Sequence, residues 1–153
     1  MTALNVIGLR DTLLSHALAS GLFDNVAGHE PKASPGNGVY AALWVQEIGV
    51  AAGRSGLTAT AIRVEYSIRI GTNMLGERQD DIDPAVMVAA ASLVLAYSGD
   101  FQLGGFADQV DLLGAYGAPL AARAGYLNQD GVLYRVMVVT VPVIVDDVFT
   151  QTP

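Results

Sequence analysis

The sequence predicts an α+β domain: a mixed or antiparallel sheet packed by two main helices, in the order α-β-β-α-β-β-β. Three observations carry that expectation. A wide apolar arc at helical spacing opens the chain, strict alternation runs from Ile62 to Ile70, and the last third is rich in β-branched residues broken by turn signals. Strands and helices do not alternate regularly, which argues against a parallel α/β fold. A length of 153 residues suits one domain spanning the chain, with a short C-terminal tail.

Residues 3–22 read as the first helix. Leu4, Ile7, Leu14 and Leu18 adjoin Val6, Leu9, Leu13 and Ala17 on a helical wheel, while Asn5, Thr12, Ser15 and His16 share a narrow polar side. Gly21 sits where the helix stops, and the stretch from Asn25 to Gly38 reads as a loop. Val39 to Val50 reads as a strand with Tyr40, Ala42, Trp44 and Ile48 on one face. A turn at Gly53 to Gly56 leads to the clearest strand, Thr58 to Ile70. There Ile62, Val64, Tyr66, Ile68 and Ile70 alternate with Arg63, Glu65, Ser67 and Arg69.

Gly71 to Asp83 is a polar loop, and Asp83-Pro84 is the signal of a helix N-cap followed by its first residue. Ala85 to Tyr97 is apolar on nearly every side and predicts a buried helix stopped by Gly99. Gln109 to Tyr116 and Leu120 to Leu127 read as shorter strands. Asn128 to Gly131 is a hairpin turn with an Asp-Gly signal, followed by a long strand from Val132 to Val145. Pro142 predicts an edge or a bulge there.

Hydrophobic residues make up 52% of the chain and charged residues 15%, where ~25% charged is usual. That composition excludes intrinsic disorder. It leaves little polar surface to cover a solitary domain, so a membrane, a partner or further copies must hide apolar area. A membrane fits poorly: a span needs ~20 apolar residues, and the best stretch, Pro84 to Tyr97, is 14 residues long and carries Ser92. Ala17-Leu18-Ala19-Ser20 mimics a signal cleavage site but lacks a basic segment before it. Without cysteine there is no disulfide or thiolate metal site, which fits a cytosolic setting.

The net charge of −7 lies wholly in the second half, where nine aspartates face only Arg123 and Arg135. Such a surface repels phosphates and predicts no adhesive nucleic-acid binding. Seven of the eight basic residues are arginine, the cation better suited to interface ion pairs.

Residues with chemical potential do not converge. His16 has Ser15 and Asp11 nearby in sequence, but adjacent helical positions do not face each other. His29 has no second histidine at ligand spacing. Asp80, Asp81 and Asp83 lack the spacing of a calcium loop and suit a helix start. The glycine-rich stretches match no phosphate-binding loop. Tyr40, Trp44 and Tyr66 fall on core phases of strands. No catalytic, cofactor or metal site is expected. The ladder Arg63, Glu65, Arg69 is either a solvated sheet face or, as composition favours, a subunit interface together with Arg78, Asp80 and Asp81.

Several longer stretches carry a family likeness. They are Thr58-Ala-Thr-Ala-Ile-Arg-Val-Glu-Tyr-Ser-Ile-Arg-Ile-Gly-Thr-Asn-Met-Leu, Asp80-Asp-Ile-Asp-Pro, Val110-Asp-Leu-Leu-Gly-Ala-Tyr-Gly, Gly125-Tyr-Leu and Tyr134-Arg-Val-Met. From the first helix to Asp147 the chain resembles the tail-terminator proteins of long-tailed bacteriophages, of the actinobacteriophage type. The resemblance implies a hexameric ring on the end of the tail tube. That ring stops polymerisation of the major tail protein and docks the head connector, at the tail–head junction of a virion assembled in the host cytoplasm. DNA passes through its hole, and the family carries no catalytic residues. Asp108 and Asp111 are candidates to line such a channel. The alternatives are another head–tail joining protein or a small-ligand-binding α+β domain with a pocket between sheet and helices.

Overall fold

The computed structural model describes residues 4–32, 38–51, 60–75 and 78–149, the side chains of 147–149 excepted. The expected turn at Gly53 to Gly56 lies outside the described residues, as does the start of the strand at Thr58. In chain order come α1 (Val6–Ser20), β1 (Asn25–Ala27), β2 (Val39–Val50), β3 (Thr60–Asn73), α2 (Gln79–Gly99), β4 (Gln109–Val110), β5 (Ala121–Gln129) and β6 (Val132–Phe149). The fold is α+β, with both helices against one face of a six-stranded mixed sheet.

The strands lie in the order β1-β2-β3-β6, and the far side of β6 is shared by β5 and then β4. All pairings are antiparallel except β1 with β2. β1 is an addition to the expected order, which left Asn25 to Ala27 in a loop. Three residues are too few to show alternation, and their parallel partner is set by tertiary return of the chain.

The core lies between sheet and helices. Val64, Tyr66, Ile68 and Ile70 of β3 and four valines of β6 (139, 141, 143, 145) meet Leu9, Leu13 and Ala17 of α1 and Val86, Ala90, Leu93 and Tyr97 of α2. Burying each large aliphatic chain contributes ~1.5–3 kcal/mol. Asn5 caps α1, its side chain accepting the Gly8 N–H at 2.8 Å. Two buried tyrosines then tie α1 down. Tyr66 donates to the Val6 carbonyl at 2.9 Å and Tyr97 to the Leu13 carbonyl at 3.0 Å. Burial pushes the Tyr66 phenol up to about 12 and raises that of Tyr97 too, so both remain donors.

Four local expectations are corrected. First, α2 begins at Gln79 rather than after Asp83, so Pro84 lies inside the helix. Asp83 does not cap; its carboxylate accepts from Arg135 Nε at 2.9 Å and ties α2 to β6. The first turn is tight, with the Asp81 N–H on the Arg78 carbonyl, and Asp80 and Asp81 complement the helix dipole. Second, the register of β2 on β3 shifts between Val45 and Glu47. That one extra residue reverses the pleat, so Ile48 points to the helix side, away from Tyr40, Ala42 and Trp44. Tyr40 and Trp44 thus lie on the face opposite Tyr66.

Third, Pro142 sits in central strand β6, opposite Glu65. Its carbonyl accepts the Asp111 N–H at 2.8 Å, so its ring nitrogen also faces the β4–β5 side, where the two short strands leave a gap. No ladder bond to β3 is lost. Fourth, the strand expected over Gln109 to Tyr116 stops at Val110. The buried carboxylate of Asp111 accepts the N–H groups of Ala115 at 2.8 Å and Tyr116 at 2.9 Å, turning the chain into a loop.

The second sheet face is covered in patches. Tyr40 and Ala42 cluster with Tyr134 and Val136, and Ala51, Ala61 and Ile144 with Tyr116. The Tyr40 ring lies across Gly71, its cross-strand partner, where a Cβ would come within 2.7 Å of the ring. The hairpin joining β5 to β6 turns at Asp130 and Gly131, both with positive φ, as the Asp-Gly signal predicts.

Candidate assembly surface

From Ala85 to Tyr97 α2 is apolar on nearly every side, as expected, but the helix is not buried all round: only one side is. Ile82, Val86, Ala89, Ala90, Leu93 and Tyr97 face the core, while Pro84, Met87, Val88, Ala91 and Leu95 are exposed. The exposed set repeats at three and four residues, so it forms one continuous stripe along the helix. Leu95 is 72% exposed, two residues from the fully buried Leu93. α2 is also long and apolar enough to cross a membrane by length and composition, a property it shares with core helices of soluble proteins.

Beside the stripe runs a groove of about 440 Å³ lined by Met87, Ala90, Ala91, Val94, Leu95, Ala122 and Met137. Among the described residues no polar side chain lines it. At the other end of α2, Leu22 from the end of α1 and Val39 extend the apolar surface to Pro84 and Val88. The two edges of the sheet add more: Ile48 and Val50 on β2 are 53% and 62% exposed, and Tyr126 on β5 is 64% exposed. The sequence pattern predicts a buried helix here and does not mark the stripe as surface. Its signal was present in a helix with too many apolar sides for one core.

The residues expected at an interface take three different positions. Arg63 is buried and bonds within its own chain, to Glu65 at 3.2 Å and to the Ala118 carbonyl at 3.3 Å. Gly117, at φ 154°, lies against that guanidinium, where a Cβ would approach Arg63 Nε to 2.7 Å. Arg69 stacks over the Trp44 ring at 4.9 Å and pairs with Glu30 at 3.5 Å. The ladder is therefore neither a bare wet face nor a row of free charges. Arg78, Asp80 and Asp81 are exposed at the start of α2, Arg78 and Asp81 4.0 Å apart. Asp108 is exposed, whereas Asp111 is 3% exposed with both oxygens engaged, so only Asp108 of that pair offers a carboxylate to a surface.

His16 has a partner remote in sequence. Its Nε2 lies 2.8 Å from an Asp100 oxygen, and its ring meets Tyr97 edge-on at 5.7 Å. The hydrogen bond from His16 holds the Asp100 carboxyl below its ordinary value, helped by the Gly104 N–H. The pair joins α1 to the end of α2. His29 Nδ1 lies 3.2 Å from the carbonyl of its neighbour Glu30. A second groove of about 840 Å³ runs along β1 past His29, Lys32 and Tyr40. Among the described residues no group of three His, Asp or Glu is placed to hold a metal ion.

What this arrangement offers chemically is apolar area and strand edges that are unpaired among the described residues. Comparison of the chain with protein-family models and with curated proteins finds no match.

Proposed function

We propose that this chain is a structural virion protein that assembles with copies of itself into a ring. The ring caps a phage tail tube, ends its polymerisation and joins it to the head connector. The observation that carries the reading is the exposed stripe Pro84, Met87, Val88, Ala91 and Leu95 with its apolar groove. A contiguous apolar surface of this kind marks an interaction site. The sequence resemblance supplies the identity of the assembly, and the preponderance of arginine among the cations suits protein interfaces. Six copies, the major tail tube protein and the connector are the partners the resemblance implies. DNA would pass the channel without adhering, repelled by exposed acidic groups such as Asp108.

The test is a tube-growth assay. Purified protein added to polymerising major tail protein should arrest elongation and leave a ring-shaped density at one tube end in electron micrographs. Tubes of unchanged length with bare ends would refute termination. Arrest failing while the protein still binds isolated connectors would favour the alternative, a different head–tail joining protein.

A further inference from the structure

The sheet has two backbone edges unpaired among the described residues: β2 from Leu43 to Val50, beyond the reach of β1, and the outer side of β5. Each edge carries an exposed charge without an ion pair among the described residues. Glu47 on β2 stands directly opposite Glu65 on β3, a like-charge pair that is unfavourable unless neutralised. Arg63 neutralises Glu65, but Glu47 has no ion pair among the described residues, and neither has Arg123 on β5. Both side chains lie on the same sheet face. Arg123 is opposite Val138 and Val138 opposite Arg69, so Arg123 shares the face of Arg69, Glu65 and Glu47.

We propose that the outer edge of β5 in one copy pairs with the free half of β2 from a second copy, Glu47 meeting Arg123. This rests on the self-assembly reading and names its surfaces. Direction agrees with it. β2, β3, β6 and β5 are each antiparallel to the next, so β2 and β5 run in opposite senses. Copies set side by side in one orientation therefore present antiparallel edges to each other.

The apolar side chains agree as well. With Glu47 opposite Arg123, antiparallel register puts Ile48 opposite Ala122. Ile48 points to the helix side because it pairs with Val64, and Ala122 lines the apolar groove beside α2. Ile48 of one copy thus enters the groove between Leu95 and Met137 of the next. Because the two surfaces differ, the contact is head-to-tail and generates a ring or filament rather than a two-fold dimer.

Two experiments test this. The first exchanges charge: E47R and R123E should each reduce the assembled fraction about tenfold or more, while remaining folded by circular dichroism. Mixing the two variants, or combining both changes in one chain, should restore assembly, since every junction again joins opposite charges. The second uses the cysteine-free background. In I48C/A122C the two thiols lie on opposite edges of one sheet, three strands apart, too far to bridge within a chain. Oxidation should give a covalent ladder of oligomers on a denaturing gel, absent from either single variant. Wild-type oligomers without a ladder, or single charge variants that assemble normally or are not rescued by mixing, overturn this edge assignment and leave the ring reading standing. A wild type that stays monomeric both at high concentration and on tail tubes overturns both.

Discussion

The inward side of α2, with Val86, Ala90, Leu93 and Tyr97, and its outward side, with Met87, Val88, Ala91 and Leu95, are made of the same kinds of residue. Only the first is covered by its own chain. Inward residues are buried in one cluster with β3, β6 and α1; outward residues find a shallow groove and solvent. The difference shows where the excess apolar composition resides. Part of it lies on one helix face and two strand edges, and part on Ile7 and Leu18 of α1 and on the loop residues Leu75, Phe101, Phe106, Leu112 and Leu113; a continuous stripe such as that of α2 is the kind of surface that marks an interaction site.

That contrast can be broken at graded cost. The largest effect is expected from Leu93→Ala, which empties a fully buried site and should cost ~2–5 kcal/mol in urea unfolding. Next is Asp111→Ala. It strips the acceptor from two loop N–H groups and should lower stability by ~1–3 kcal/mol, read from the same denaturation midpoint. Smaller still is the His16–Asp100 pair, partly exposed and worth ~0.2–1 kcal/mol. The folded state holds the Asp100 carboxyl below its ordinary 3.8. Its contribution is therefore present above that pH and lost as pH falls through the lower folded value. Asp100→Asn should consequently narrow the gap in stability between pH 6 and pH 2.5, measured by urea melts at both. The smallest change in monomer stability, within ~0.5 kcal/mol, is expected from Leu95→Ala, two residues along from Leu93 and on the outward side. A cost for Leu95→Ala in dilute monomer equal to that of Leu93→Ala would erase the distinction between the two sides.

The sheet's two faces show how far a sequence can be read. The helix-facing side was legible because Val64, Tyr66, Ile68 and Ile70 alternate without interruption and β-branching favours the strand. The hairpin at Asp130-Gly131 and the Gly21 limit of α1 were legible because each depends on neighbouring residues alone, whereas Asn5, expected on the polar side of the helix, is its N-cap. What failed depended on remote partners. Asp83 looked like a cap, but Arg135, 52 residues away, takes its carboxylate. Arg63 also has a remote partner that no local pattern marks, the Ala118 carbonyl 55 residues away. Ile48 changed face through one inserted position that periodicity does not mark. The outward stripe of α2 was hidden for the opposite reason: an all-apolar helix gives no sign of which side its own chain will cover.

The central claim is self-association through this outward surface. Native mass spectrometry of wild type beside Leu95→Glu tests it most directly. A closed oligomer, six copies by the family resemblance, is expected for wild type. Leu95→Glu should be monomeric with unchanged thermal unfolding of the monomer. A wild-type chain that remains monomeric at high concentration and on tail tubes, or a Leu95→Glu chain that assembles as wild type does, would contradict the account.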